Sequence, residues 1–195
     1  MDRPLLMLAG LILVLQFALP TSDYFLWTAK GFLLLFMLPV TFLLLTKKSL
    51  ADFGLNSGGL KRSVFYAAIL VALGLPFLLH FSSDISFKAY YPIWEGELDF
   101  FTAELLLFPA MLGTEFFFRG FLLNWFAKKM DWRYAIILQA LIYGLIHLGK
   151  PVPEAALSFL AGIVFGYVAL RTRSILPSML GHYSISVVFD LLQMS

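Results

Sequence analysis

The run WTAKGFLLLFMLPVTFLLLT, residues 27–46, decides the fold class. Only Lys30, near its start, is ionisable, and the stretch from Gly31 to Thr46 carries no charge. A helix needs roughly 20 mostly apolar residues to cross about 30 Å of hydrocarbon, and this run has that length. Comparable runs lie near 4–20, 63–81, 100–127, 134–149, 154–170 and 174–192. Composition agrees: the 195 residues are 61% hydrophobic and 13% charged, with 21 Phe. Soluble domains hold about 45–50% apolar and about 25% charged residues, and a globule this small could not hide the excess. Soluble, disordered, collagen-like and disulfide-scaffold classes are excluded. The net charge of +2 also argues against a nucleic-acid partner. Lipid-exposed backbone must satisfy its own hydrogen bonds, and no period-2 barrel pattern occurs. The chain therefore reads as an all-α polytopic membrane bundle of about seven transmembrane helices, with the lipid bilayer as its first partner.

Residues 1–99 hold spans one to three, and residues 100–195 hold spans four to seven, as one integral unit. Loop 47–62, with Asp52, Gly54, Asn56, Ser57, Gly58 and Gly59, has turn chemistry. Loop 82–99 is acidic through Asp84, Glu95, Glu97 and Asp99. Span four contains Pro109, which predicts an interfacial start and a kink; span five is short. Ala18-Leu19-Pro20 makes a poor cleavage site, so the first run is expected to stay as a span rather than leave as a signal peptide. Counting Lys and Arg by side gives orientation. Arg3, Lys47, Lys48, Lys61, Arg62, Lys128, Lys129, Arg133, Arg171 and Arg173 share one side, against Lys30, Lys88 and Lys150 on the other. Ten against three places the N-terminus in the cytoplasm and the C-terminus outside, in an integral protein of the plasma membrane. The absence of cysteine removes thiol catalysis, thiolate metal sites and disulfides.

Ionisable groups inside a span cost at least ~2.5–3.5 kcal/mol each and mark functional sites by default. The mid-span set is Glu115 and Arg119 in span four, His147 in span five and His182 in span seven. Asp190, nearer an end, is expected to reach water. Glu115 and Arg119 are four apart, on one helical face with the acid first. They form either a structural ion pair or the organiser of a polar cavity. Gln139, Tyr143 and His147 make one stripe along span five, and His182, Ser186 and Asp190 make one along span seven. At about 1.5 Å per residue, a shared site would lie somewhat nearer the cytoplasmic side. Ser158, Gly162 and Gly166 form a small-residue ridge suited to close helix packing, and Phe116 to Phe118 read as lipid-facing or packing residues. No HExxH, GxSxG, GxGD, P-loop or GxGxxG pattern occurs, which argues against a metalloprotease helix and against nucleotide as partner.

Glu115-Phe-Phe-Phe-Arg119-Gly120, Tyr143-Gly-Leu-Ile-His147 and His182-Tyr-Ser-Ile-Ser186 resemble the three ordered motifs of the CAAX-protease and bacteriocin-processing (CPBP, or Abi) family: EExxxR, (F/Y)xxxH and HxxxN. Asp52-Phe53-Gly54-Leu55 and Arg171-Thr172-Arg173-Ser174-Ile175 also resemble family sequences. The resemblance implies a glutamate-dependent intramembrane endopeptidase, a hydrolase acting on a membrane-associated peptide or protein. It further implies that the first Glu and the motif-two histidine activate a water, while the motif-three histidine and Asn stabilise the oxyanion. On that basis Glu115, His147 and His182 are the catalytic candidates, with Arg119, Tyr143, Ser186 and Thr114 supporting them, and neither cofactor nor metal is expected. Two positions depart from the pattern: Thr114 stands where the first Glu belongs and Ser186 where the Asn belongs. Glu115 aligns with the second Glu, which suits a partner of Arg119. Adjacent helical residues point about 100° apart, so Glu115 cannot replace the missing acid without helix rotation. Three readings stay open: an active endopeptidase, a non-catalytic family member binding a membrane peptide or partner as an immunity or scaffold protein, and, weakest, a zinc site on one Glu and two His.

Overall fold

The computed structural model describes residues 3–56, 59–91 and 96–194. Ser57 and Gly58 of the expected turn and Glu95 of the acidic loop lie outside the described residues. Among the described residues the chain is all-helical, about 80% helix without strands. Each apolar run of the sequence carries a helix: α1 (Arg3–Ala18), α2 (Tyr24–Leu45), α3 (Leu60–Phe81), α4 (Phe100–Ala127), α5 (Trp132–Leu145), α6 (Val152–Thr172) and α7 (Leu176–Gln193). Four of these, α2, α3, α4 and α6, are long and apolar enough to cross a membrane. The other three fall outside that group: α1 has 16 residues, α5 has 14, and the 18-residue α7 carries His182, Ser186 and Asp190.

Starts are set by side-chain caps. Asp23, Asp99 and Asp131 each accept a hydrogen bond from a backbone N–H in the first turn of α2, α4 and α5, filling donors a helix start leaves unpaired. Hydrogen bonds from Thr102 hold the Asp99 carboxyl below its ordinary value. At the opposite kind of terminus, the Lys30 ammonium donates to the Gln16 and Leu19 carbonyls at 3.1 and 2.8 Å and closes the end of α1.

Packing runs through small residues, because lipid tails give helices no hydrophobic reason to associate and close backbone contact must do it. Three pairs form this way. A Cβ on Gly113 of α4 would lie 2.9 Å from the Gly31 carbonyl of α2. One on Gly162 of α6 would meet Ala140 of α5 at 2.9 Å, and one on Gly181 of α7 would meet Leu70 of α3 at 3.0 Å. Within the expected span-six ridge, Gly162 and Gly166 face α5, whereas Ser158 lines a cavity.

Helix α4 is the centre: 61% of its apolar window is buried, against 11% for α3. Pro109 neither ends it nor delays its start, since the helix runs unbroken from Phe100. The irregularity lies lower, where Phe116–Leu122 widens to a π-helix. Phe116, Phe117, Phe118 and Phe121 are wholly buried and pack with Leu35, Leu43, Phe53, Leu122 and Leu123. At that end the two weaker family-like segments meet. Gly54 turns with φ +81°, a conformation suited to glycine, and its carbonyl accepts from the Ile175 N–H at 3.0 Å. Ser174 Oγ donates to the Asn56 carbonyl at 2.9 Å.

Candidate active site

Glu115 closes the α-helical part of α4 and Arg119 lies in the π-helical turn below it; both side chains are 0% exposed. A carboxylate or guanidinium so placed survives only with partners. Glu115 Oε1 accepts from His182 Nδ1 at 2.8 Å and forms an ion pair with Arg119 Nη1 at 3.3 Å. Arg119 also sits among three rings, its guanidinium carbon 4.0 Å from the Tyr143 centroid, 5.5 Å from Phe165 and 6.0 Å from Phe118. Such stacking is strongest where water is excluded.

Tyr143 connects the rest. Its carbonyl accepts from His147 Nδ1 at 2.8 Å, which fixes the proton on that nitrogen and leaves Nε2 as the ring's acceptor. Its hydroxyl lies 3.4 Å from His182 Nε2, a long contact that is easily exchanged. Both histidines therefore present Nε2 as the nitrogen left after backbone or carboxylate has taken Nδ1.

They open on a cavity of about 650 Å³. Thr114, Tyr143, His147, His182 and Ser186 line its inner end. The Thr114 hydroxyl donates to the Ala110 carbonyl of its own helix at 3.0 Å, a habit of hydroxyl residues in helices. Gln139, the third residue of the α5 stripe, is buried against Gly166 and does not line the cavity. The structure thus brings Glu115, Arg119, Tyr143, His147, His182, Thr114 and Ser186 to one place.

One sequence expectation needs correction, and one feature was not anticipated. The cavity does not extend toward the end with most Lys and Arg. It runs from Thr114 past Lys30, Tyr91 and Lys150 at the other end, because the phenylalanine cluster fills the space below Glu115. Asp190 is buried rather than water-facing, and its carboxyl group lies against that of Glu104.

One polar cluster escaped the sequence reading. At the outer rim Lys150 Nζ donates to the Tyr91 hydroxyl and to Glu154 Oε1, each at 2.8 Å, and the Tyr91 hydroxyl donates to the Glu154 carboxylate at 2.8 Å. Burial alone would lower the Lys150 ammonium, but Tyr91 and Glu154 beside it outweigh burial and hold it above its ordinary value. Burial raises the Tyr91 phenol. The available signal was the i, i+4 spacing of Lys150 and Glu154 across the start of α6. Among the described residues no three His, Asp or Glu side chains are grouped to hold a metal ion.

Residues 96–188 match a family model described as type II CAAX prenyl endopeptidase Rce1-like. No curated protein and no solved structure matches the chain. The matched residues include every side chain that surrounds Glu115 in the geometry above.

Proposed function

We propose, from the membership of residues 96–188 in the CAAX-protease family, that this protein is an intramembrane endopeptidase that hydrolyses a peptide bond of a membrane-associated substrate. The observation that carries this reading is the 2.8 Å contact of buried Glu115 with His182 beside a second, cavity-facing histidine. Glu115 is a positioning residue: its bonded oxygen is engaged by His182 and Arg119, and the side chain does not reach the cavity surface. His147 Nε2 takes a proton from water, and the water oxygen adds to the scissile carbonyl carbon. The resulting oxyanion is met by donors in a site shielded from bulk water, where such donors act strongly. The Ser186 hydroxyl supplies one, and His182, oriented by Glu115 through Nδ1, supplies another from Nε2 when that nitrogen also carries a proton. The C–N bond then breaks as His147 returns the proton to the leaving amine. Thr114 contributes wall rather than base. All seven helices span in this reading, with the N-terminus cytoplasmic and the C-terminus outside, and reporter fusions after Lys61 and after Ser195 fall on opposite sides.

The test is cleavage of a lipid-anchored, quenched fluorescent peptide library in liposomes. Wild type cleaves it, and His147→Ala loses about 100-fold or more, the usual worth of a general base. Wild type without turnover, with turnover appearing in Thr114→Glu, overturns the reading and makes the chain a family-fold binder of membrane peptides.

A further inference from the structure

Helices α3 and α6 meet in a buried cluster of Leu70, Phe165 and Val168. Beyond it, Leu73 and Phe77 of α3 and Leu160 and Val164 of α6 line the cavity. The same four residues are also on the molecular surface, with 57%, 48%, 54% and 39% of their area exposed. One set of apolar side chains thus borders both the cavity and the face that meets lipid. At its outer end the seam is bridged by the polar cluster: Tyr91 follows α3 in the chain, and Lys150 and Glu154 flank the start of α6. The Tyr91 ring is further seated on Phe189 of α7 and on Phe87, at 5.6 and 6.5 Å.

We propose that the seam between the outer halves of α3 and α6 is the entrance from the bilayer to the cavity, open to apolar membrane-embedded chains, and that Tyr91, Lys150 and Glu154 latch it. The rim is leucine, phenylalanine and valine, which pass an apolar chain without exposing it to water. The latch is polar, and Tyr91 keeps Lys150 and Glu154 as partners only while the seam is closed. Opening therefore costs the latch bonds, whereas the apolar rims exchange contact with each other for contact with lipid at little cost. This inference stands independently of proteolysis.

Because the chain has no cysteine, Ala161→Cys on the cavity wall gives a single reporter thiol. In liposomes its reaction is followed with two probes, a long-chain alkyl maleimide dissolved in the bilayer and a charged maleimide in water. Adding Tyr91→Phe, which keeps the ring, or Glu154→Gln speeds the bilayer probe about tenfold or more, the effect of losing one or two partly buried hydrogen bonds on an opening equilibrium. Leu160→Trp, at an exposed rim position that folding tolerates, slows the bilayer probe by a similar factor and leaves the water probe within about twofold. Equal acceleration of both probes by the latch variants, no acceleration by either variant, or an unaffected bilayer probe in Leu160→Trp overturns the proposal.

Discussion

The two halves of α4 share one helix and little else. Below Glu115, every residue from Phe116 to Leu122 is buried, with aromatic rings interlocked around a guanidinium. Above it, Leu107, Ala110, Met111 and Thr114 border the cavity. The difference is one of side-chain volume against helix spacing. Gly113 lets α2 approach the upper half closely, and α7 reaches it through Tyr183 and Asp190, but α3 and α6 stand back from it. In the lower half four phenylalanines occupy the equivalent room. The site sits on the boundary, where a rigid floor can hold a buried acid still while an open chamber admits substrate.

Breaking the floor has the largest expected effect. Arg119→Ala leaves the Glu115 carboxylate buried without its guanidinium partner, and thermal unfolding in detergent is expected to show a loss of about 3–5 kcal/mol. Gly120→Ala comes next. Its new Cβ would lie 2.7 Å from the Phe53 carbonyl and 2.7 Å from the Phe116 ring, and overpacking of this kind costs about 1–3 kcal/mol in the same measurement. The chamber should behave differently. Ala161→Leu adds carbon to a wall that borders the cavity, and its unfolding free energy stays within about 0.5 kcal/mol of wild type. A penalty there as large as that of Gly120→Ala would mean that the chamber is as tightly packed as the floor.

Much of this was legible in the sequence, and the reasons separate by residue. Helices announce themselves through long apolar runs, so the run at 100–127 and α4 coincide. The polar stripe of span five gave Tyr143 and His147 because a helix repeats every 3.6 residues. The direction of the chamber was not legible, since Phe116 to Phe118 look the same whether they face lipid or fill a floor. Nor was the packing role of Gly31, Gly113 or Gly181: a glycine's value depends on the partner helix opposite, which a linear pattern does not name. Glu154 stayed hidden because it falls at a helix start, where an acidic residue needs no further explanation.

Glu115 and Arg119 also bear on how the protein is made. Tyr143 of α5, Phe165 of α6 and His182 of α7 all follow them in the chain, so α4 leaves the ribosome before most of the cage exists. Having both charges on one helix lets it partition into lipid already neutralised, at a fraction of what either charge alone would cost. The floor is then completed by later arrivals: Tyr143 slides beneath the guanidinium when α5 docks, and the carboxylate receives His182 last. Assembly thus runs from a self-compensated helix to a finished site, with α7, which follows α4, α5 and α6 in the chain, supplying the final bond.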